Sequence, residues 1–149
     1  MIEFLETTVD KFTFKVATDR FYTSEGVWAK EENGHVRIGL SDFVQQRSGD
    51  VAFADVRPAG TTLAAGDELA VIETIKVNIT YTSSVNGKIV EVNSTMKDAP
   101  EAINQDPYGA GWLALMEVAD WGTERANLLN PQAYFDIMKG QAEEETKKL

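Results

Sequence analysis

The chain contains no cysteine. That excludes a disulfide framework, a thiolate metal site and a cysteine nucleophile. Histidine is nearly absent too, with His35 alone in the stretch ENGHVRIGL. There a turn meets an alternating strand, so His35 reads as a solvent-facing strand residue rather than a metal ligand. Positive charge is scarce: 14 Lys and Arg stand against 24 Asp and Glu, a formal net charge of −10. Neither nucleic acid nor an anionic membrane is therefore an expected partner, whereas basic protein surfaces are. No apolar run is long enough to span a bilayer, and the acidic start MIEFLETTVDK lacks the regions of a secretory signal. The expected location is cytoplasmic.

What is present is an ordinary globular composition. Hydrophobic residues make up 43% and charged residues 26% of 149 positions, enough for one domain with a real core. FTFKV (12–16), VWAK and HVRIGL alternate as strands do, the last two joined by a hairpin at Asn33-Gly34. SDFVQQRSG predicts a short helix capped by Ser41 and ended by Gly49. DVAFADV alternates again, and Pro58, Gly60 and Gly66 punctuate the approach to the next strand. Asn86-Gly87, between alternating runs, predicts a second hairpin. Asp98 and Glu101 have capping-box spacing with Pro100 between them, which predicts one short helix. GWLALMEV reads as a last strand, with Gly109 and Gly111 as turn conformers, and the GAG precedes that strand rather than opening a helix, so it is no phosphate cradle. Trp28, Tyr108 and Trp112 read as packing residues.

The C-terminus changes character. Asn130 is placed to cap a helix, Pro131 to begin it, and Tyr134, Ile137 and Met138 share one face. Glu143–Lys147 and Glu144–Lys148 have the favourable spacing for ion pairs, and Gly140 weakens the interior by about 1 kcal/mol. Packing of the first half and fraying beyond it are expected. GHVRIGL and GKIVEVN form a faint repeat, each following Asn and preceding a short helix. Two such units related by a pseudo-two-fold would close into a sandwich or flattened barrel.

The stretch VIETIKVNIT (71–80) poses the functional question. In a continuous strand, Thr74, Lys76 and Asn78 would form the polar side, and Lys76 would merely solubilise it. Glu73 spoils that pattern by falling on the apolar side. The other arrangement is a tight turn near Thr74–Val77 that lifts Lys76 clear of two strands. Periodicity leaves both open.

Three blocks bear on it: ETIK (73–76), VNGKIVEVN (85–93) and NQDPYGAGWL (104–113). Together with IGLSDFVQQRSGDVAFADVRPAGTTLAAGDELAVIE upstream, they resemble the H-protein family of the glycine cleavage system, within the biotinyl/lipoyl-domain superfamily. The resemblance spans Phe21 to the C-terminal helix. It implies a mainly β fold with short helices, a barrel-sandwich hybrid of two quasi-symmetric sheets with a C-terminal α-helix. It implies lipoate in amide linkage to Lys76 on a hairpin turn, with Glu73 either a recognition charge for the lipoylating enzyme or a plain solvated glutamate. The corresponding division is an extension over 1–20, a lipoyl-carrier domain over 21–120 and a helical segment over 121–149 packed on it. The implied function is a swinging-arm shuttle with no catalysis of its own. It would carry an aminomethyl group between glycine decarboxylase, the aminomethyltransferase and dihydrolipoyl dehydrogenase, after loading by a lipoate ligase or lipoyltransferase. Biotin carriers flank their lysine with methionines, and lipoyl domains of 2-oxoacid dehydrogenases carry Asp-Lys-Ala; Ile75 and Val77 fit neither.

Four departures accompany the resemblance. YTSEGVW puts Gly26 and Val27 where the family has His-Glu, Val77 stands where Ala is usual, and Ser83-Ser84 replaces Ser-Pro. The N-terminal extension is the fourth. They admit a paralogue with altered partners, such as the lipoate-binding proteins of a heterodisulfide-reductase-like sulfur-oxidation pathway. An unlipoylated interaction module is the third alternative.

Overall fold

The computed structural model describes residues 2–147. The chain opens with a hairpin, β1 (Phe4–Val9) and β2 (Phe12–Ala17), turned at Asp10 with φ 57°. Next come β3 (Phe21–Tyr22), β4 (Val27–Glu32) and β5 (His35–Leu40), then α1 (Asp42–Ser48). The middle holds β6 (Val51–Val56), β7 (Thr62–Leu63), β8 (Glu68–Thr74), β9 (Asn78–Thr82) and β10 (Gly87–Val92). The short helices α2 (Thr95–Asp98) and α3 (Ala102–Gln105) precede β11 (Ala114–Glu117). Two helices close the chain, α4 (Trp121–Ala126) and α5 (Pro131–Lys147).

The strands form a six-stranded sheet in the order β3-β4-β5-β11-β10-β7 and a three-stranded sheet in the order β6-β8-β9, beside the β1-β2 hairpin. The architecture is therefore mainly β with a C-terminal helix, as the sequence predicts, and the sheets stay open. Strand alternation divides β4 between two cores. Val27 and Ala29 join Val36, Ile38, Leu69, Ile72 and Ile89 in the core shared by the two larger sheets. Trp28 belongs to a second core, built with Phe14 and Val16 of β2, Phe43 of α1 and Tyr134, Met138 and Ala142 of α5. The N-terminal hairpin and the C-terminal helix are thus packed together in one cluster. Arg20 is buried within reach of it, its guanidinium stacked 4.4 Å from the Trp28 ring and paired with Asp19 at 2.8 Å. Burying that charge is tolerable because ion pair, ring face and the Tyr108 carbonyl (2.9 Å) all receive it.

Several expectations hold in detail. Asn33 (φ 52°) and Gly34 (φ 84°) turn the β4–β5 hairpin in the left-handed region that such two-residue loops need. Ser41 Oγ accepts from Val44 N–H at the start of α1, and Asn130 Oδ1 accepts from Ala133 N–H at the start of α5.

Others need correction. Asn86-Gly87 is not a hairpin: β9 pairs with β8 and β10 pairs with β7 and β11, so the segment crosses between sheets. The Asn86 amide is engaged elsewhere, accepting from Ala65 N–H at 2.9 Å and donating to Glu124. The helix expected from Asp98 is two helices; Asp98 ends α2 instead of capping, and Pro100 lies in the break. Gly109 and Gly111 are absent from the positive-φ positions; a Cβ on either would strike Asp106 or the Ala102 backbone, so close approach is what requires them. α5 runs on to Lys147 because Ala142 continues the buried Tyr134–Met138 line, while Ile137 sits at its margin, 38% exposed. Gly140 costs the helix about 1 kcal/mol but does not break it, and a Cβ there would meet nothing within 4 Å. The pair involving Lys148 lies outside the described residues. β1 and α4 had no counterpart in the sequence reading.

Candidate functional site

β8 and β9 lie side by side, and the chain between them is only Ile75, Lys76 and Val77. Of the two arrangements left open by periodicity, the turn is the one adopted. Thr74 organises it. Its backbone N–H donates to the Val77 carbonyl at 2.8 Å. Its hydroxyl oxygen accepts from the N–H groups of Lys76 (3.2 Å) and Val77 (3.1 Å), while the hydroxyl itself donates to Val77 O (3.1 Å). One buried side chain thereby satisfies most of the turn's polar backbone. Ile75 N–H donates to Asp50 O at 3.1 Å, which ties the tip to the corner between α1 and β6.

Lys76 is exposed at this tip. Its Nζ donates to the Arg47 carbonyl at 3.0 Å, at the end of α1. Its stem passes over Gly49, the α1 C-cap (φ 87°), where a Cβ would stand 3.1 Å from Lys76 Cε. Glycine there serves both the left-handed conformation and the passage of the lysine. The flanking Ile75 is 76% exposed, so these apolar side chains surround the lysine without entering a core. Beside the tip is a cleft of about 240 Å³ between β2, α1 and α5, with Lys76 in its lining.

Glu73 is exposed on β8, in register with Phe53 of β6 and Asn78 of β9, and has no ion pair among the described residues. The structure sets it at the base of the turn, on the strand side opposite Thr74. His35 begins β5 half-buried, opposite Glu32 and Glu117.

The sequence reading missed the link between the lysine turn and the NQDPYGAGWL block. Asn104 provides it. Its Oδ1 accepts from Val51 N–H (2.9 Å), and its Nδ2 donates to Gly49 O (3.0 Å) and Gln45 Oε1 (3.1 Å). Asn104 thus pins the corner that receives Ile75 and supports the Lys76 stem. Further along the block, Tyr108 donates to Lys15 O at 2.8 Å, and the Trp112 ring stacks under Arg37. Asn104 was visible in the motif, but a fixed asparagine does not reveal which backbone it holds.

The departures at Gly26 and Val27 have a structural basis. Gly26 has φ 89°, and a Cβ there would strike Val44 and stand 2.8 Å from the Tyr134 hydroxyl. That hydroxyl is bonded to Ser41 Oγ at 2.8 Å, so α1 and α5 meet where a side chain would have to go. Val27 is 1% exposed, in an apolar core with no partner for a carboxylate.

The model of the family described as Glycine cleavage H-protein matches residues 20–141. The chain belongs to the glycine cleavage H-protein family. Glycine cleavage system H protein 4 of Aquifex aeolicus is 39% identical over 135 residues, covering 91% of this chain and 78% of that one. The glycine cleavage system H protein of Thermus thermophilus is 35% identical over 127 residues, 85% of this chain and 98% of its own. Among solved structures, the glycine cleavage system H protein from Mycobacterium marinum superposes with a TM-score of 0.71 at 31% identity, over 78% of this chain and 94% of that one. The β1-β2 hairpin and the last turns of α5 fall outside the span matched to the family. Among the described residues, no helix is long and apolar enough to cross a membrane.

Proposed function

We propose that this chain is a lipoyl-carrying shuttle, with lipoate joined as an amide to Lys76 Nζ. The observation that carries the reading is an exposed lysine at the apex of a three-residue turn whose backbone is fixed by Thr74 and Asp50. The residues fit such a group: the amine is open to an acylating enzyme, and Gly49 leaves room for the stem. When bound, lipoate supplies disulfide–dithiol and group-transfer chemistry that no residue of this chain offers.

The protein's own contribution is presentation. Thr74 fixes the root of the arm, and rigid strands on either side fix its direction. An amide nitrogen keeps one hydrogen, so the bond from Nζ to Arg47 O survives acylation. Acylation also removes a charge flanked by Ile75 and Val77. With no cysteine in the chain, no internal thiol competes for the arm. Glu73, exposed at the base of the turn, is the proposed recognition charge for the lipoate ligase or lipoyltransferase.

The setting proposed is the glycine cleavage system, after which its relatives are named, and the location proposed is the cytoplasm. There the chain carries an aminomethyl group between glycine decarboxylase, the aminomethyltransferase and dihydrolipoyl dehydrogenase. The proposed division is a carrier over residues 21–120, a C-terminal helical segment from 121 whose described part, to Lys147, packs on it, and an N-terminal extension before 21. Lipoylated protein is expected to support glycine-dependent carboxyl exchange by purified glycine decarboxylase, and Lys76→Arg to support none. Loss of exchange in the fully lipoylated wild type would refute the glycine role. The uncharged Gly26-Val27 pair favours one second reading, in which the same arm serves a heterodisulfide-reductase-like complex. That reading expects failed exchange together with intact lipoylation.

A further inference from the structure

Phe53 is 67% exposed on β6 and enters no aromatic pair or cation–π contact among the described residues. Strand alternation alone would not put it there. Val51 pairs with Thr74, and both are buried. In unbroken register Phe53 would lie opposite Ile72, which is buried, and would share its face. A bulge at Ala52 adds one residue to β6, so that Phe53 falls opposite Glu73 and Ala54 opposite Ile72. The bulge thus turns the ring outward, while Ala54 and Val56 keep the contact with the core. Pairing carries an exposed row across the sheet: Phe53 on β6, Glu73 on β8 and Asn78 on β9. Asp55, also exposed, lies in the next row, opposite Val71. Neither Glu73 nor Asp55 has an ion pair among the described residues. On the other side of the row is the lysine turn, with Ile75 76% and Val77 46% exposed. About 10 Å of strand separates the Phe53 row from Lys76.

We infer that Phe53 is the anchor on which the enzyme that acylates Lys76 docks. That enzyme presents an apolar socket to the ring and basic groups to Glu73 and Asp55. The inference rests on the proposed attachment at Lys76. Chemistry selects this partner over those that use the finished arm. In acylation Nζ bonds to the carbonyl carbon of an activated acyl donor. The donor's activating group leaves with the electron pair of the broken bond, and the amine gives up a proton. The donor must therefore reach the end of the lysine stem itself, within bonding distance. Its enzyme has to cover the turn and the sheet face beside it, where Phe53 stands. A partner that uses the finished arm meets only its far end and needs no such cover. An aromatic ring seated in a socket carries much of the affinity of such an interface, and the carboxylates around it steer a basic surface into register.

The test is steady-state loading of the full, unmodified chain by a lipoate ligase, with lipoate and ATP saturating and the chain as the varied substrate. Phe53→Ser is expected to raise KM for the chain about tenfold and to leave kcat within about twofold. Phe53→Tyr, which keeps the ring, is expected to restore most of the loss. Val90→Ser, at an exposed apolar position on β10, is expected to leave both constants unchanged. Phe53→Ser is also expected to melt with the wild type, because the exposed ring packs against no other. An unchanged KM in Phe53→Ser overturns the anchor and leaves the carrier reading intact. So does a fall in kcat alone, or a KM raised equally by Val90→Ser. A wild type that accepts no lipoyl group overturns both.

Discussion

Thr74 shows how much of a site a single hydroxyl can hold. Its oxygen accepts from the backbone N–H groups of Lys76 and Val77, and its O–H donates to the Val77 carbonyl. Thr74→Ala strands those N–H groups, which costs on the order of 1–3 kcal/mol when they cannot reach water. Urea denaturation is expected to register that loss, with slower loading of Lys76 because the root of the arm is no longer fixed. Unchanged stability would mean that water replaces the hydroxyl. From sequence, Thr74 was one more β-branched residue in a strand, whereas Lys76 was legible through its motif. The difference lies in what a motif records: residue types are visible, but a hydroxyl's partners depend on the turn it makes. Gly26 teaches the same lesson from the other side. Its departure from the family pattern was plain, and its cause is the meeting of Tyr134 and Ser41 in that space. Gly26→His combines a positive-φ side chain with overpacking, an expected loss of about 2–4 kcal/mol in denaturant melts. A variant as stable as wild type would show that α1 and α5 separate easily.

Two Asn-Gly dipeptides behave differently at the scale of elements. Asn33-Gly34 turns a hairpin because β4 and β5 pair along their whole length. Asn86-Gly87 has the same local chemistry, yet β9 and β10 belong to different sheets, and the turn becomes a crossover. Sheet membership is decided by long-range packing, which no local window contains. The alternation in β2 was readable all the same, because Phe14 and Val16 are buried while Thr13 and Lys15 face out. For α5 the cap at Asn130 and the start at Pro131 were readable, but its length was not. Ala142 is too small to announce a core position, and it takes β2 and Phe43 to make it one. Met138, fully buried between those elements, is the corresponding probe. Met138→Ala is expected to destabilise by about 2–5 kcal/mol. A loss below about 1 kcal/mol, against that range, would mean that α5 is only loosely applied to the second core.

Across the whole molecule, the same two cores make a prediction about alkali. All four tyrosines are buried: Tyr22, Tyr81, Tyr108 and Tyr134. Burial raises each phenol above its ordinary value, and Tyr134 is pushed up to about 12 even though its bond to Ser41 opposes the shift. In the unfolded chain these phenols ionise near about 10. A group raised on folding gives stability that is complete below its unfolded value and disappears as pH climbs through the folded one. Stability is therefore expected to fall above about pH 10, with tyrosinate absorbance appearing together with unfolding. A phenol titrating near its ordinary value in the folded protein would contradict the burial of that ring.

The central claim concerns Lys76, and its most direct measurement is intact mass with peptide mapping after incubation with a lipoate ligase. The account expects one lipoyl increment, located on the peptide containing Lys76. It also expects no increment in a folded Lys76→Arg variant. An unmodified wild type, or an increment on any other lysine, would contradict it.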